Sequence, residues 1–281
     1  MKPIRSLLFC PGNNEKMVMK AISSEADAVV LDLEDAVAIE QKEQARRQLI
    51  ATLEDSDLSP RIFIRINDRQ TAFFEADLLA VATLKDVSVI IPKVEQKEDI
   101  HKAVENLRKG AVDGAERRIS PILETAKGII NAYEIATASD KICALSFGAV
   151  DFELDINAIR TEGGDEFLYA KSHLVIASRA AGIAPPIDSV YPDFQDDHGL
   201  QQESFKAKSL GFQGKGAIHP RQLGIINQVF SPTKEEVDYA TAVVEAFEEA
   251  ERNGLASIKL DGKMIDYPVY KKAQQILAYR N

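Results

Sequence analysis

The sequence predicts an α/β protein, a (β/α)8 TIM barrel over residues 1–230 with a C-terminal helix–hairpin–helix extension over residues 231–281. Short apolar runs alternate with helical patterns along most of the 281 residues. This alternation is typical of parallel strands joined by right-handed crossover helices, and eight such units favour a closed barrel over an open sheet. In addition, a charged side chain stands where several of the apolar runs stop. In a barrel of parallel strands, these ends all open onto one face.

The eight predicted strands are apolar runs rich in leucine and β-branched residues. They are Ser6–Cys10, Ala28–Glu34, Arg61–Asn67, Ser88–Val94, Ile119–Glu124, Ile142–Phe147, Ile187–Tyr191 and Gly216–His219. The predicted helices follow them and carry apolar residues at helical spacing, as Ala45, Leu49 and Leu53 do. They are Asn14–Glu25, Gln41–Glu54, Phe73–Thr83, Lys97–Lys109, Ala126–Ala138, Asp165–Ala181, Leu200–Ser209 and Arg221–Phe230.

The extension begins with a helix start, because Thr233 and Glu236 have the spacing of a capping box. Asp261-Gly262, between two alternating segments, predicts a hairpin turn. A last helix is predicted over Val269–Arg280. The segment is too short for a core of its own, so we expect it to pack on the barrel or on a neighbouring subunit.

Composition excludes several classes of function. The formal net charge is −10, which argues against a nucleic-acid partner because such a partner requires a basic surface. An apolar run near the ~20 residues that cross a bilayer is absent from the sequence, so we expect no membrane role and a cytoplasmic location. Cys10 and Cys143 lie inside apolar runs and are expected to be buried free thiols.

Glu124 and Asp151 are the main candidates for a metal site. Both stand at the ends of strand-like runs in adjacent repeats, so their side chains can converge. Two carboxylates repel each other unless a cation lies between them. Mg²⁺ suits such a pair, since it takes one or two protein carboxylates and completes its octahedron with water and substrate oxygens. The alternative is that each carboxylate caps a helix or forms an ion pair.

Arg65 lies among apolar neighbours in RIFIRIN and must find an anion, because burial of an unpaired charge is costly. The anion could be a substrate carboxylate or enolate, or a structural partner in Glu34 or Asp35. Glu34 and Asp35 could themselves hold a metal-bound water or cap a helix. Lys93, in IPKVE, could neutralise substrate or anchor Glu34.

Three further residues have weaker signals. Lys16 follows Pro11-Gly12-Asn13-Asn14 near the start of a helix, where a phosphate could bind, although a plain turn and cap explains the motif as well. His219 could act as a base, but a hydrogen-bonded position inside the barrel rim is the simpler interpretation. By spacing alone, Asp266 in GKMIDYP indicates only the alternation of a surface hairpin.

Taken together, these segments resemble the citrate lyase beta subunit family of the HpcH/HpaI aldolase superfamily. The resemblance runs in order from Arg5 to about Asp266. The segments that carry it are RSLLFCPGNNEKM, ADAVVLDLEDAV, EQKEQAR, IRIN, IIPKVE, PILETAKGIINAYEIA, FGAVD, GFQGKGAIHPRQL and GKMIDYP.

The resemblance implies a modified barrel that assembles as homotrimers, sometimes hexamers, and cleaves a carbon–carbon bond in a 3-hydroxyacyl thioester with Mg²⁺. By resemblance, Glu124 and Asp151 bind the metal, Glu124 and Arg65 contact the substrate, and Arg65 also acts in catalysis. Asp266 matches an aspartate that reaches a neighbouring subunit's site and transfers the proton. This implication replaces the spacing-only interpretation of that residue.

The same resemblance places Glu34, Asp35 and Lys93 at supporting positions and Lys16 near coenzyme A phosphates. The implied reaction is cleavage of a citramalyl- or malyl-type CoA thioester to acetyl-CoA and a 2-oxo acid. The alternatives are a citrate lyase beta subunit acting on citryl-acyl-carrier protein, a thioesterase acting in the same cavity, and a catalytically silent assembly subunit.

Overall fold

The structure is a computed structural model that describes residues 3–54, 61–111 and 117–278. Eight parallel strands form a closed barrel in chain order, β1 to β8, with β1 paired to both β2 and β8. They are β1 Ser6–Pro11, β2 Ala28–Asp32, β3 Arg61–Arg65, β4 Val87–Ile91, β5 Ile119–Leu123, β6 Ser146–Phe147, β7 Ile187–Asp188 and β8 Gly214–Ala217. The predicted (β/α)8 fold is therefore confirmed.

Helices follow the strands in the order expected of a barrel. They are α1 Glu15–Ile22, α2 Lys42–Glu54, α3 Phe74–Val81, α4 Lys97–Gly110, α5 Ala126–Ile130, α6 Ala132–Ala136, α7 Ala149–Asp155, α8 Leu168–Ala181, α9 Asp197–Leu210 and α10 Leu223–Phe230, with short 3-10 turns at Ile39–Gln41, Asp165–Phe167 and Pro220–Gln222. The helix predicted over Ala126–Ala138 is divided at Asn131. Helix α7 was not predicted.

Strand alternation decides which residues reach the barrel interior. On β2, Val29 and Leu31 belong to the large core cluster that includes the helix side chains, whereas Ala28 and Val30 belong to a smaller cluster with residues of five other strands. The smaller cluster fills the barrel interior. By the same period of two, Asp32 comes next on the interior face, at the C-terminal end of β2. The alternation thus delivers a carboxylate to the catalytic face of the barrel.

The barrel is held by few main-chain pairs between β6, β7 and β8. Strand β6 pairs with β7 through a single Cα register pair, Ser146 with Ile187, and β7 pairs with β8 through two. Strand β8 lies two residues upstream of its predicted start at Gly216. Side-chain interactions must therefore contribute strongly to this part of the wall.

The chain divides into two compact units, Ile4–Phe230 and Ser231–Asn281 together with Met1–Pro3. In the second unit, α11 (Lys234–Arg252) begins with the predicted capping box. Strands β9 (Ile258–Leu260) and β10 (Lys263–Ile265) pair antiparallel.

The turn of this hairpin has the backbone that its sequence predicts, because Asp261 and Gly262 have φ of 46° and 81°, as a type I′ turn requires. Helix α12 (Tyr267–Ala278) starts two residues before its predicted start, and its predicted end at Arg280 lies outside the described residues.

The second unit has its own buried cluster, which includes Ala240, Val243, Phe247, Ile265 and Tyr270. The expectation that it is too small for a core was wrong, because the hairpin and α12 together cover the apolar face of α11. Its packing on the barrel or on a neighbouring subunit stays a prediction. Among the described residues, no helix has both the length and the hydropathy of a membrane span.

Candidate active site

A cavity of about 500 Å³ opens at the C-terminal ends of the barrel strands. Its wall combines apolar side chains with six charged ones. The charged residues are Asp32, Asp35, Arg65, Glu124, Asp151 and Asp188. This is the barrel face on which the sequence predicts the site. The six residues come from five strands and the segments that follow them, and four of them, Asp35, Arg65, Glu124 and Asp151, are predicted site residues.

Glu124 directly follows β5 and is 4% exposed. Its Oε1 accepts a hydrogen bond of 2.8 Å from the backbone N–H of Lys93. Burial, followed by the negative charges of Asp151 and Glu34, raises the pKa of Glu124 to about 8. The carboxylate form thus lacks sufficient positive charge nearby, which is the condition that a divalent cation relieves.

Asp151 faces the same cavity. The sequence analysis placed it at a strand end, and this was wrong. It lies in the first turn of α7, after Gly148, and its side chain is 38% exposed. The N–H of Ala149 donates to Ser189 Oγ at 3.0 Å, which holds the start of this helix against the segment after β7. Strand β6 ends at Phe147, as predicted, but the chain then forms a helix that was not predicted, and Asp151 belongs to it.

Gly148 permits the close approach of this helix to Glu124. A Cβ on Gly148 would lie 2.2 Å from Glu124 Oε2 and 2.7 Å from Glu124 Cβ. Any side chain there would displace the carboxylate. The glycine therefore fixes the position of the buried acid beside the start of α7.

The donor set fits a hard divalent cation. Within the described residues, no group of three or more His, Cys, Asp or Glu side chains has the arrangement of a metal site. A pair of carboxylates, one of them buried with an excess of negative charge around it, is instead the number of protein ligands that Mg²⁺ accepts.

Arg65 ends β3 and forms its main contact with Asp32, which sequence reasoning did not assign. Nε and Nη2 of Arg65 donate to the two oxygens of Asp32 at 2.7 and 2.6 Å. The β2–β3 register sets Asp32 directly opposite Arg65, so the pair could have been found from the sequence once the strands were aligned. The guanidinium also lies 5.4 Å from the centre of the Phe9 ring.

The remaining corner of the guanidinium, Nη1, lies 3.1 Å from Glu34 and 3.3 Å from Asp35. Burial lowers the pKa of Arg65, but the hydrogen bonds and charge of Asp32 outweigh it, so the net shift is upward. Asp35, 59% exposed, is the most accessible partner. A substrate oxygen can therefore replace it at Nη1 without disturbing the buried pair, and both predicted roles of Arg65 are compatible.

Lys93 links three acidic residues of the site. Its Nζ donates to Glu34 at 3.0 Å and lies 3.7 Å from Asp151, while its N–H bonds Glu124. Its backbone is left-handed, with φ of 51°, a conformation that is uncommon for a residue other than glycine. The predicted anchoring of Glu34 by Lys93 is present.

Glu34 is 6% exposed. Burial raises its pKa to about 7, against the opposing effects of Arg65 and Lys93. For Lys93, burial lowers the pKa, but Glu34 outweighs it and the net shift is upward. Glu34 is thus held by Lys93, whose amino group also lies beside Asp151.

A second charged cluster, which the sequence analysis missed, surrounds Asp188 in the cavity wall. Asp188 on β7 is held by Lys171 of α8 at 2.8 Å and by Lys215 of β8 at 2.7 Å. Lys215 also donates to Glu203 at 2.6 Å, and Glu203 pairs with Arg160 at 2.9 Å. The cluster ties α8 and α9 to the two strands that share few main-chain bonds. The signal available in the sequence was a charged residue within each of two short strands, Asp188 in β7 and Lys215 in β8.

Burial of Asp188 raises its pKa, but the charges of Lys171 and Lys215 outweigh burial and the net shift is downward. Asp188 is therefore ionised, and Lys171 and Lys215 neutralise its charge. It lines the cavity as a carboxylate that already has its positive partners.

The other predicted residues lie elsewhere. Lys16 is exposed on α1, where Asn14 caps the helix by accepting from Met17 N–H, so the plain-cap interpretation holds for the turn itself. His219 is exposed rather than inside the rim: its ring accepts from Arg221 N–H as an N-cap.

Asp266 lies in the second unit, and its Oδ1 accepts from Val269 N–H at 3.2 Å at the start of α12. Cys10 and Cys143 are free thiols, the first buried and the second half-buried. Burial raises the pKa of both, which makes them poor nucleophiles.

Comparison with known proteins shows the family to which this chain belongs. A family model described as HpcH/HpaI aldolase/citrate lyase matches residues 5–220. The citrate lyase subunit beta of Leuconostoc mesenteroides subsp. cremoris is 36% identical over 99% of this chain and 93% of that protein. The mitochondrial citramalyl-CoA lyase of Rattus norvegicus is 35% identical over 98% of this chain and 85% of that protein.

Solved structures give the same result. The protein CitE from Mycobacterium tuberculosis, in complex with magnesium, acetoacetate and coenzyme A, has a TM-score of 0.80 at 30% identity, covering 99% of this chain and 97% of that one.

The closed barrel and its charged cavity define a barrel enzyme whose chemistry takes place at the C-terminal strand ends. The chain belongs to the HpcH/HpaI aldolase/citrate lyase family. The family and the carbon–carbon lyase class predicted from the sequence motifs are thereby confirmed.

Proposed function

We propose that this protein is a Mg²⁺-dependent lyase that cleaves a 3-hydroxyacyl-CoA thioester of the citramalyl or malyl type to acetyl-CoA and a 2-oxo acid. The observation that carries the proposal is the buried Glu124 carboxylate beside Asp151, in the same cavity as Arg65. The magnesium and coenzyme A bound to the Mycobacterium tuberculosis neighbour support it.

Glu124 and Asp151 would hold Mg²⁺, and Lys93 would keep both carboxylates in place through its N–H and its amino group. The bound ion would supply Lewis-acid polarisation of the substrate's hydroxyl and neighbouring carboxylate. Arg65 would then stabilise the negative charge that develops when the carbon–carbon bond breaks, since its Nη1 corner faces the cavity beside the exposed Asp35.

Asp266 would complete the reaction by protonating the carbon of the acetyl-thioester enolate, or by removing that proton in the condensing direction. The family resemblance assigns this aspartate to a neighbouring subunit's site, so the proposal includes a homotrimer or hexamer. Lys16 would bind phosphates of coenzyme A from its exposed position on α1.

Incubation of the protein and Mg²⁺ with malyl-CoA, citramalyl-CoA and citryl-CoA tests the proposal. Metal-dependent release of acetyl-CoA together with a 2-oxo acid supports it. Free coenzyme A without a 2-oxo acid identifies a thioesterase. Absence of any product, with no Mg²⁺ binding by calorimetry, identifies a silent subunit.

The second candidate is a citrate lyase beta subunit acting on citryl-acyl-carrier protein, favoured by the 36% identity to the Leuconostoc protein. Turnover of the acyl-carrier-protein thioester, with none of the CoA thioester, would identify it. Recovery of alpha and gamma subunits in a pull-down from the native source would agree with that result.

A further inference from the structure

Two buried serines line the cavity on neighbouring strands of the barrel. Ser146 is the first residue of β6, and Ser189 directly follows β7. They are 6% and 5% exposed, respectively. The proposed chemistry uses neither hydroxyl, although a buried polar group on a cavity wall must find its hydrogen-bond partners there or in the protein.

The strand register places Ser189 in the same layer of the barrel as Glu124. The residues aligned across β5, β6 and β7 are Ile122, Ser146 and Ile187. Ile122 and Ile187 belong to the cluster that fills the barrel interior. Because side chains alternate along a strand, the next interior positions are Glu124, Gly148 and Ser189, and all three line the cavity.

The space between Glu124 and Ser189 is open because Gly148, the residue between them, has no side chain. Their main chains lie two strand spacings apart, about 10 Å. A small ligand in this part of the cavity can therefore contact the carboxylate on one side and the hydroxyl on the other.

The hydroxyl of Ser189 has an unused proton. Its Oγ accepts from the backbone N–H of Ala149 at 3.0 Å. Since an N–H can only donate, the serine keeps its own O–H for another acceptor. Within the described residues, no acceptor takes this proton. Ser189 is thus a hydrogen-bond donor for whatever occupies the cavity.

The hydroxyl of Ser146, in contrast, has already used its proton. Ser120 Oγ donates to the carbonyl oxygen of Ala144 at 3.0 Å. Ser120 can therefore only accept in its 3.1 Å contact with Ser146 Oγ, and Ser146 must be the donor of that bond. Ser146 presents lone pairs to the cavity, and of the two serines it is Ser189 that offers a donor.

We infer that Ser189 binds substrate, and that its hydroxyl donates to an oxygen of the 2-hydroxy acid part, which becomes the 2-oxo acid. This inference rests on the proposed function, which puts the oxygens of that part beside Glu124 and Asp151. Ser189 lies on this side of the cavity, because it shares a layer with Glu124 and holds the first residue of α7, two residues before Asp151. These oxygens carry negative charge, and a hydrogen bond to a charged acceptor is stronger than one to a neutral acceptor.

Calorimetry with pyruvate and oxaloacetate, at saturating Mg²⁺, tests the inference. Ser189→Ala should bind both 2-oxo acids ~10- to 100-fold more weakly than wild type, the usual effect of one lost hydrogen bond to a charged group. Ser189→Thr keeps the O–H and should stay within ~3-fold of wild type. Acetyl-CoA should bind all three proteins equally. If Ser189→Ala does not fold, Ser189→Cys, of similar size and with only a weak donor, takes its place.

Two controls separate binding from a purely structural effect. Ser146→Ala removes a buried hydroxyl from the same wall, but one whose proton is already used, so pyruvate affinity should stay within ~3-fold of wild type. Ser189→Ala also removes the acceptor of the Ala149 N–H. Mg²⁺ affinity without a 2-oxo acid measures that effect and should change by no more than ~3-fold, because a cavity water can accept from this N–H.

Three results would overturn the inference and leave the lyase proposal standing. The first is a loss of Mg²⁺ affinity in Ser189→Ala as large as its loss of pyruvate affinity, which would limit Ser189 to the positioning of α7. The second is an equal loss of pyruvate affinity in Ser146→Ala. The third is unchanged 2-oxo acid affinity in Ser189→Ala, with or without weaker binding of acetyl-CoA. Wild-type protein that binds neither 2-oxo acid with Mg²⁺ present would instead overturn the proposed function, and the inference with it.

Discussion

Replacement of Glu124 by glutamine should change the pH dependence of folding as well as activity. The amide keeps the size of the side chain and can still accept the hydrogen bond from Lys93, but it cannot ionise. In the wild-type protein without metal, the folded state keeps a proton on Glu124 up to a pKa of about 8. The unfolded chain loses that proton near the ordinary value of 4.5.

The direction in which the free energy of unfolding changes with pH follows from proton binding by the two states. Between the two pKa values the folded state binds more protons, so its free energy of unfolding falls as pH rises. The pKa of Glu124 shifts from 4.5 to about 8 on folding. This shift alone should lower the free energy of unfolding of the wild-type protein by on the order of 4 kcal/mol between pH 5 and pH 8.5. The raised pKa of Glu34 acts in the same direction and is present in both proteins.

Urea unfolding in EDTA at pH 5, 7 and 8.5 measures this difference. Glu124→Gln should lose less stability than wild type by about 4 kcal/mol over that range, whereas Glu98→Gln, an exposed position on α4, should behave as wild type. Saturating Mg²⁺ at pH 8.5 should stabilise wild type and not Glu124→Gln. Equal losses in wild type and Glu124→Gln would refute the claim that this carboxyl is destabilised by its surroundings.

Three other changes give separate tests. Asp188→Asn should lower the free energy of unfolding by about 3–5 kcal/mol in urea, because it leaves two buried lysines without their shared anion; a loss under about 1 kcal/mol would contradict the role of the cluster. Gly148→Ala should weaken Mg²⁺ binding about 10- to 100-fold in calorimetry, because its Cβ displaces the Glu124 carboxylate, while Gly224→Ala, with nothing within 4 Å, should bind as wild type. Asp266→Ala should still bind acetyl-CoA but lose deuterium exchange at the acetyl methyl by NMR, and retained exchange would remove Asp266 from the mechanism.

Much of the barrel could be predicted because strand and helix periods differ along the chain. The long runs, such as Arg61–Arg65 in β3, are apolar enough to be recognised alone. The least accurate predictions concern the part of the barrel with the fewest main-chain pairs between strands. Strands β6 and β7 have two residues each, too few for a periodic signal. Helix α7 begins two residues after β6 and has only seven residues, so its own period was not recognised and Asp151 was taken as the end of an apolar run.

The types of residue in the site could be predicted from the sequence, but most of the ion pairs between them could not. Glu124, Arg65 and Lys93 come from separate repeats, and only a closed barrel brings them together. The ion pair of Arg65 with Asp32 depends on the register of β2 against β3, which sets the two residues opposite each other and which was not predicted from the sequence. Lys215 inside the short run of β8 was a buried lysine whose partner could not be known before β7 was placed beside it.

Anomalous diffraction from crystals soaked with Mn²⁺ tests whether Glu124 and Asp151 hold the metal. We expect one strong peak in the barrel cavity in contact with carboxylate oxygens of both residues, and loss of that peak in Glu124→Gln crystals. A peak elsewhere in the cavity, or an unchanged peak in the variant, would contradict the assignment of these two residues as the metal ligands.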